Sequence, residues 1–261
     1  AEFWWGKPPQ SEVRIHENFY PACKGKCEPI LGFMLKGLQV DANPFLTLKS
    51  SPQIKIHYED EDLIIIEKPH ELLSVPGNTG ADSVAWQLKL KYPNFPDLKL
   101  VHRLDMSTSG LMIAAKNQRI FKFIQRQFIQ KTLEKRYVAR LAGLLSHRNG
   151  EINLPLRPDY IDRPRQFVCH ETGKPALTYY ETIAEINGKT IVNFYPKTGR
   201  THQLRVHAAH QLGLNTPIKG DDIYGNRDAR LFLHAESIKF THPRTKDLVS
   251  FHFPAPKDFF E

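Results

Sequence analysis

One stretch of the chain combines an isolated carboxylate with an arginine and a Thr-Ser-Gly turn. The run VHRLDMSTSGL covers residues 101–111, and no acidic residue follows Asp105 until Glu134. An ionised carboxylate can act as a nucleophile or balance a positive charge, so Asp105 is a candidate for chemistry. Arg103 lies two residues before it, and the apolar, strand-like segment LMIAA begins at Leu111. The pattern raises the question of what a single acid does at this position.

Cysteine and histidine offer a metal-binding alternative that the spacing does not favour. CKGKC separates Cys23 from Cys27 by three residues, and no second pair of this kind follows. Three cysteines are too few for a disulfide framework and suit a reducing compartment, so we expect a cytoplasmic protein. The histidines of THQLRVHAAH do not share one helix face. We expect structural thiols and histidines with no metal or other cofactor; zinc at the cysteine pair is the alternative.

The charge balance favours a polyanionic partner, above all nucleic acid. Lysine and arginine number 36 against 28 acidic residues, a formal net charge of +8. QRIFKFIQRQFIQK repeats apolar residues at helical spacing, which predicts a buried stripe and a second, basic face. LRPDYIDRPRQF is proline-rich and predicts an exposed loop with several arginines. Both clusters are candidates for contact with the phosphates of such a partner, with plain solvation as the alternative: Arg119, Lys122 and Arg126 on the helix, and Arg163 and Arg165 in the loop.

The elements that must position these residues divide the chain into two regions. Residues 1–52 are rich in Pro, Gly and Cys and are interpreted as an N-terminal extension and linker. Residues 53–261 are interpreted as one domain of strands, helices and loops. IKIHYEDEDLIIIEKP predicts a hairpin or paired strands, DSVAWQLKLKY predicts a capped helix starting at Asp82, and the Asn187-Gly188 pair predicts a turn. The class is α+β with mostly antiparallel pairing. No apolar run approaches the ~18 residues that cross a bilayer, so no membrane partner is expected.

Several motifs in this order and spacing resemble the RNA pseudouridine synthases of the RluA type. They are HRLDMSTSGL, KRYVARLAG, ETGKPALTYYE, KTGRTHQLRVHAAHQLG, GDDIYG and LFLHAESIKFTHP. The resemblance covers the chain from about Ile54 onward. Two departures are KPHE at residues 68–71, where relatives read KPSG or KPAG, and Lys219, where an apolar residue is usual. The resemblance implies the pseudouridine synthase catalytic fold: a curved, mixed but largely antiparallel central sheet with flanking helices and a cleft that holds the site.

The same resemblance implies roles for four residues. Asp105 matches the family's essential aspartate, and Arg205 matches its basic partner, which favours the ionised carboxylate; Thr201 is expected to cap the helix that presents Arg205. Tyr137 matches a tyrosine whose ring packs on the flipped uracil and whose hydroxyl can handle a proton. Arg103 matches the residue that enters the space left by the flipped base. Whether the acid attacks C1′, adds to C6 or assists elimination stays open.

The implied reaction is isomerisation of uridine to pseudouridine in structured RNA. The branch of the family resembled here suggests 23S rRNA, with tRNA as a second substrate, and we expect a monomer. An RNA or DNA glycosylase that uses the same acid with water is one alternative. An RNA-binding or ribosome-assembly protein without catalysis is the other. His102, next to the site, is interpreted as structural.

Overall fold

The computed structural model describes residues 51–77 and 82–261 of the chain. The predicted extension, with Cys23 and Cys27, therefore lies outside the described residues except for its last two positions. The strands are β1 (Lys55–Glu59), β2 (Leu63–Lys68), β3 (Lys99–Leu100), β4 (Ser109–Ala115), β5 (Glu134–Arg140), β6 (Asn149–Asn153), β7 (Leu156–Pro158), β8 (Gln166–Val168), β9 (Leu177–Ile186), β10 (Lys189–Pro196), β11 (Leu233–Thr241) and β12 (Leu248–His252). The helices are α1 (Val84–Lys91), α2 (Gln118–Gln130) and α3 (Gln203–Ala209), and a 3-10 turn spans Lys257–Phe260.

Ten of the strands form one mixed sheet. Its order is β1-β2-β4-β11-β5-β10-β9-β6, with β12 paired to β11 and β3 paired to β4, while β7 and β8 form a separate hairpin. The β4–β11 pair is parallel and the other strand pairs are antiparallel. The predicted α+β class with a mixed, largely antiparallel sheet is confirmed. No helix in the described part of the chain is long and apolar enough to cross a membrane.

Strand β2 is apolar on both faces because both faces are covered by helices. Leu63 and Ile65 pack in a cluster with the buried residues of α2. The alternate residues, Ile64 and Ile66, pack in a second cluster with the buried residues of α1. Successive side chains of a strand point to opposite faces, so a strand buried on both faces carries a continuous apolar run. The buried stripe predicted for α2 is confirmed.

The predicted turn between β9 and β10 is confirmed. Asn187 and Gly188 join the two strands with φ values of 51° and 70°. Positive φ at both central residues is the conformation that this type of two-residue turn requires, and Asn-Gly is a preferred pair for it. The turn therefore follows from local sequence alone.

The predicted start of α1 is wrong. The helix begins at Val84, and its N-cap is Ser83, whose Oγ accepts from the Trp86 amide. The Asp82 carboxylate is engaged elsewhere, since it accepts hydrogen bonds from the Ser83 amide and the Gln87 side chain. Of the two adjacent polar residues, Ser83 takes the capping position and Asp82 binds Gln87.

Gly110 allows the parallel contact between β4 and β11. It pairs with Ala235 and has a φ of 121°, a backbone conformation that residues other than glycine rarely adopt. A Cβ atom at this position would lie 2.5 Å from the backbone nitrogen of Ala235 and 2.7 Å from its carbonyl carbon. The glycine of the Thr-Ser-Gly turn therefore sets how closely the segment after Asp105 approaches the centre of the sheet.

Candidate active site

A buried lysine holds the loop that follows Asp105. The Lys68 side chain, at the end of β2, is 1% exposed. Its ammonium donates to the carbonyls of Pro69 (2.8 Å), Met106 (2.9 Å) and Thr108 (2.8 Å). Burial lowers the pKa of Lys68 to about 7, and the charge of Asp105 acts in the opposite direction. Because two of the three acceptors belong to the loop, Lys68 fixes the backbone immediately after the candidate catalytic acid.

The segment before Asp105 is anchored by Ser74 and His102. Ser74 Oγ donates to the Leu104 carbonyl at 2.6 Å and accepts from the Leu104 amide at 3.0 Å. His102 Nε2 accepts from the Ile113 amide at 3.1 Å. Burial lowers the pKa of His102 to about 3, so the ring is neutral at pH 7. The contact of His102 with β4 supports its interpretation as a structural residue.

Asp105 is half-buried. Its negative charge contributes to raising the pKa of two other residues that the sequence singled out, Tyr137 and Arg205. Tyr137 lies on β5 between Phe194 of β10 and Ala235 of β11. Burial first, and then the negative charge of Asp105, raise the pKa of the Tyr137 phenol, which therefore stays protonated at neutral pH. The fold thus brings together a carboxylate and a neutral phenol from distant parts of the sequence.

Arg205 is near the site, but its expected ion pair with Asp105 is not formed. Its Nε and Nη2 atoms donate to the two carboxylate oxygens of Asp221 at 2.8 Å and 2.6 Å. Nη2 also donates to Asp222 at 3.0 Å. Burial lowers the pKa of Arg205, but the bonds to Asp221 outweigh it and raise that pKa above its ordinary value, with a smaller contribution from Asp105. Two nitrogens of a guanidinium can bind both oxygens of one carboxylate, and Asp221 is that carboxylate for Arg205.

The expected cap of α3 is also wrong. The N-cap is His202, which has a φ of 53° and makes no side-chain capping bond, so Thr201 is one residue too early. His202 instead places Nδ1 2.9 Å from the hydroxyl of Tyr224. Burial lowers the pKa of His202, and the charge of Asp105 opposes that shift. The residue at the start of α3 is therefore held by a tertiary contact with Tyr224.

Five of the six candidate RNA-binding residues are exposed on the surface, including Arg163 of the loop between β7 and β8. Arg103 is exposed beside Asp105. The basic face of α2 is exposed as the sequence predicted, and it comprises Arg119, Lys122 and Arg126. These side chains are therefore accessible to the phosphates of an RNA.

The two arginines of the loop between β7 and β8 differ in their contacts. Arg163 lies 5.5 Å from the centre of the Tyr160 ring. Arg165 is engaged within the protein, since it donates to Asp162 at 2.9 Å and to the Ile223 carbonyl at 2.7 Å. Arg165 braces this loop, so Arg163 is the better candidate for phosphate contact.

Four positioning residues were not anticipated from the sequence: Lys68, Ser74, Asp221 and Tyr224. Lys68 and Asp221 stand in motifs quoted above, KPHE and GDDIYG, and a lysine at the end of the largely apolar strand β2 was a usable signal for Lys68. Nothing in the local pattern marked Ser74 as a partner of Leu104, because the two lie 30 residues apart.

Comparison with known proteins finds RNA pseudouridine synthases, the family that the sequence motifs resemble. A family model described as RNA pseudouridylate synthase matches residues 62–210. The chain is 43% identical over 216 residues to the dual-specificity RNA pseudouridine synthase RluA of Vibrio cholerae, covering 80% of this chain and 85% of that protein. It is 42% identical to the protein of the same name from Escherichia coli, covering 80% and 95%.

A solved structure also resembles this chain. Human RNA pseudouridylate synthase domain containing 1 aligns with a TM-score of 0.65 at 26% identity, covering 77% of this chain and 83% of the human one.

Proposed function

Because the chain belongs to the RNA pseudouridylate synthase family, we propose that it isomerises uridines in both ribosomal and transfer RNA, with Asp105 as the catalytic carboxylate. The relatives named dual-specificity enzymes support two classes of RNA substrate. Within those classes, 23S rRNA is the ribosomal substrate that we favour. We expect the enzyme to work in the cytoplasm as a monomer whose residues 53–261 form the catalytic domain.

The reaction breaks the bond between C1′ and N1, turns the uracil and joins it again through C5. No water is consumed, so one carboxylate suffices where hydrolysis of a glycosidic bond usually needs two. Asp105 attacks C1′, adds to C6 or assists elimination, and all three routes need its negative charge next to the nucleotide. A target uridine must leave its stack to reach this acid, at a cost of a few kcal/mol. Arg103, exposed two residues away, is suited to fill the space that the base leaves.

Tyr137 and Arg205 complete the proposed site. Tyr137 offers an aromatic ring for stacking on the uracil and a protonated hydroxyl that can donate to it. Arg205 contributes positive charge near Asp105 while Asp221 fixes its orientation. RNA phosphates bind the basic face of α2 and the loop between β7 and β8, through Arg119, Lys122, Arg126 and Arg163, with Arg165 supporting that loop.

The observation that carries the proposal is the placement of Asp105. Lys68 and Ser74 hold the backbone on either side of this acid, and its charge acts on Tyr137 and Arg205. A single-turnover assay of pseudouridine formation in 23S rRNA fragments and tRNA stem-loops tests it directly. Asp105→Asn should bind these RNAs as tightly as the wild type and form no pseudouridine, because the amide lacks the charge and nucleophilicity of the carboxylate.

The alternatives give different results in the same assay. Release of free uracil would identify a glycosylase, and tight binding without any isomerisation by the wild type would identify an RNA-binding or assembly protein. Turnover by Asp105→Asn within about tenfold of the wild type, a difference of ~1.4 kcal/mol in activation free energy, would refute the assignment of Asp105.

A further inference from the structure

Tyr224 lies between the exposed β7–β8 hairpin and the helix that carries Arg205. Its backbone amide donates to Asp221 Oδ1 at 3.0 Å, the same carboxylate that binds Arg205. The centre of its ring lies 5.4 Å from the Arg205 guanidinium and 5.3 Å from that of Arg165. One aromatic side chain thus contacts a cation of the proposed site and a cation of the hairpin.

The hydroxyl of Tyr224 makes the most direct bridge. It accepts from the amide of Gln166, the first residue of β8, at 2.7 Å. It also lies 2.9 Å from Nδ1 of His202, the residue that precedes α3. The charge of Asp105 acts on both His202 and Arg205. Two short contacts of one hydroxyl therefore connect β8 to the residue that precedes α3.

The tip of the hairpin is exposed and closed by its own side chain. Asp159 Oδ1 accepts from the amides of Ile161 and Asp162 at 2.9 Å and 3.1 Å, which closes the turn. Tyr160 and Ile161 at this tip are 65% and 99% exposed. An Asp side chain that bonds to the backbone two or three residues on favours such a turn, and the turn presents the tip of the hairpin to solvent.

We propose that Tyr224 is a positioning residue whose hydroxyl makes the orientation of His202 and Arg205 depend on whether RNA occupies the β7–β8 hairpin. This inference rests on the proposed function, since it assumes that RNA binds the hairpin and that Arg205 serves the reaction. The new element is the coupling between RNA binding at the hairpin and the orientation of Arg205.

The test measures single-turnover rates at saturating RNA, together with RNA affinities, on a stem-loop that the wild type isomerises. Tyr224→Phe keeps the ring and removes the hydroxyl. Its rate should fall on the order of tenfold, as for the loss of one or two hydrogen bonds, while affinity stays within about twofold of the wild type. The matched control is Tyr195→Phe, which loses a hydroxyl bond of 3.2 Å to Glu181 and should keep the wild-type rate.

Coupling is measured with Arg163→Ala, which removes a cation from the hairpin tip. This change should slow the wild type at saturating RNA and have no further effect on rate in the Tyr224→Phe background. An unchanged rate in Arg163→Ala alone would overturn the proposal. Independent, multiplying effects of the two changes would also overturn it, because a merely structural tyrosine gives that result.

A second variant tests the same bridge in case Tyr224→Phe does not fold. His202→Asn removes the other end of the bridge, and asparagine tolerates the left-handed backbone at this position. It should repeat the loss of rate and add nothing to Tyr224→Phe; a wild-type rate in His202→Asn would overturn the proposal. If the wild type itself forms no pseudouridine, the proposed function fails and the coupling with it. If the wild type is active and Tyr224→Phe matches it, the coupling alone fails.

Discussion

Replacing Gly110 with alanine tests whether the close approach of β4 and β11 positions the Asp105 loop. The added Cβ would lie 2.5 Å from the Ala235 nitrogen and 2.7 Å from its carbonyl carbon. Both atoms belong to the backbone of a central strand, which cannot rotate away as a flexible side chain can. Either β4 or β11 must shift, and the loop held by Lys68 shifts with β4.

The expected loss of stability has two parts. Strain at a φ of 121° contributes ~1–3 kcal/mol for a residue with a Cβ. Overpacking against the Ala235 backbone contributes a further ~1–3 kcal/mol. The sum, ~2–6 kcal/mol, is a large fraction of the ~5–15 kcal/mol that stabilises a typical domain.

Gly188→Ala is the matched control. Gly188 also has a positive φ, 70°, but a Cβ there meets nothing within 4 Å. Gly188→Ala should therefore lose stability only through backbone strain, by ~1–2 kcal/mol. Urea unfolding followed by circular dichroism gives both values, and pseudouridine formation at saturating RNA reports whether the loop has moved. Equal destabilisation by the two alanines would refute the close-approach reasoning, and a wild-type rate in Gly110→Ala would show that this contact does not position Asp105.

Three further outcomes are expected. Tyr137→Phe should lose rate by ~100-fold or more at unchanged RNA affinity if the hydroxyl moves a proton, whereas near-normal chemistry would leave stacking as its only role. Neutralising the basic face of α2, by replacing Arg119, Lys122 and Arg126 together, should reduce the log-log salt slope of RNA binding by up to ~2, at ~0.7 per contact; an unchanged slope would mean that this face is only solvated. Arg205→Met should destabilise the fold by ~3–5 kcal/mol, because the buried Asp221 charge loses its partner. Adding Asp221→Asn should recover stability but not activity, and wild-type stability in Arg205→Met alone would contradict the pairing.

The sequence alone was sufficient for features that depend on neighbouring residues. The buried stripe of α2, the Asn187-Gly188 turn and the β1–β2 hairpin follow from spacing and turn chemistry within a few residues. The family resemblance named Asp105, Tyr137 and Arg205 as one site. In the structure the charge of Asp105 acts on the other two, while their catalytic roles stay predictions.

Only the tertiary structure decided which groups satisfy the buried charges. Arg205 had Asp105, Asp221 and Asp222 as possible partners. In the folded chain its guanidinium forms a bidentate pair of hydrogen bonds with Asp221. Lys68 binds three carbonyls, two of them about 40 residues away, and His202 meets Tyr224. The spacing of apolar residues shows which face of a helix or strand is buried. The partner of a buried charge is instead decided among the polar groups that the tertiary fold brings within hydrogen-bond distance. That outcome depends on distances and angles that no local pattern contains.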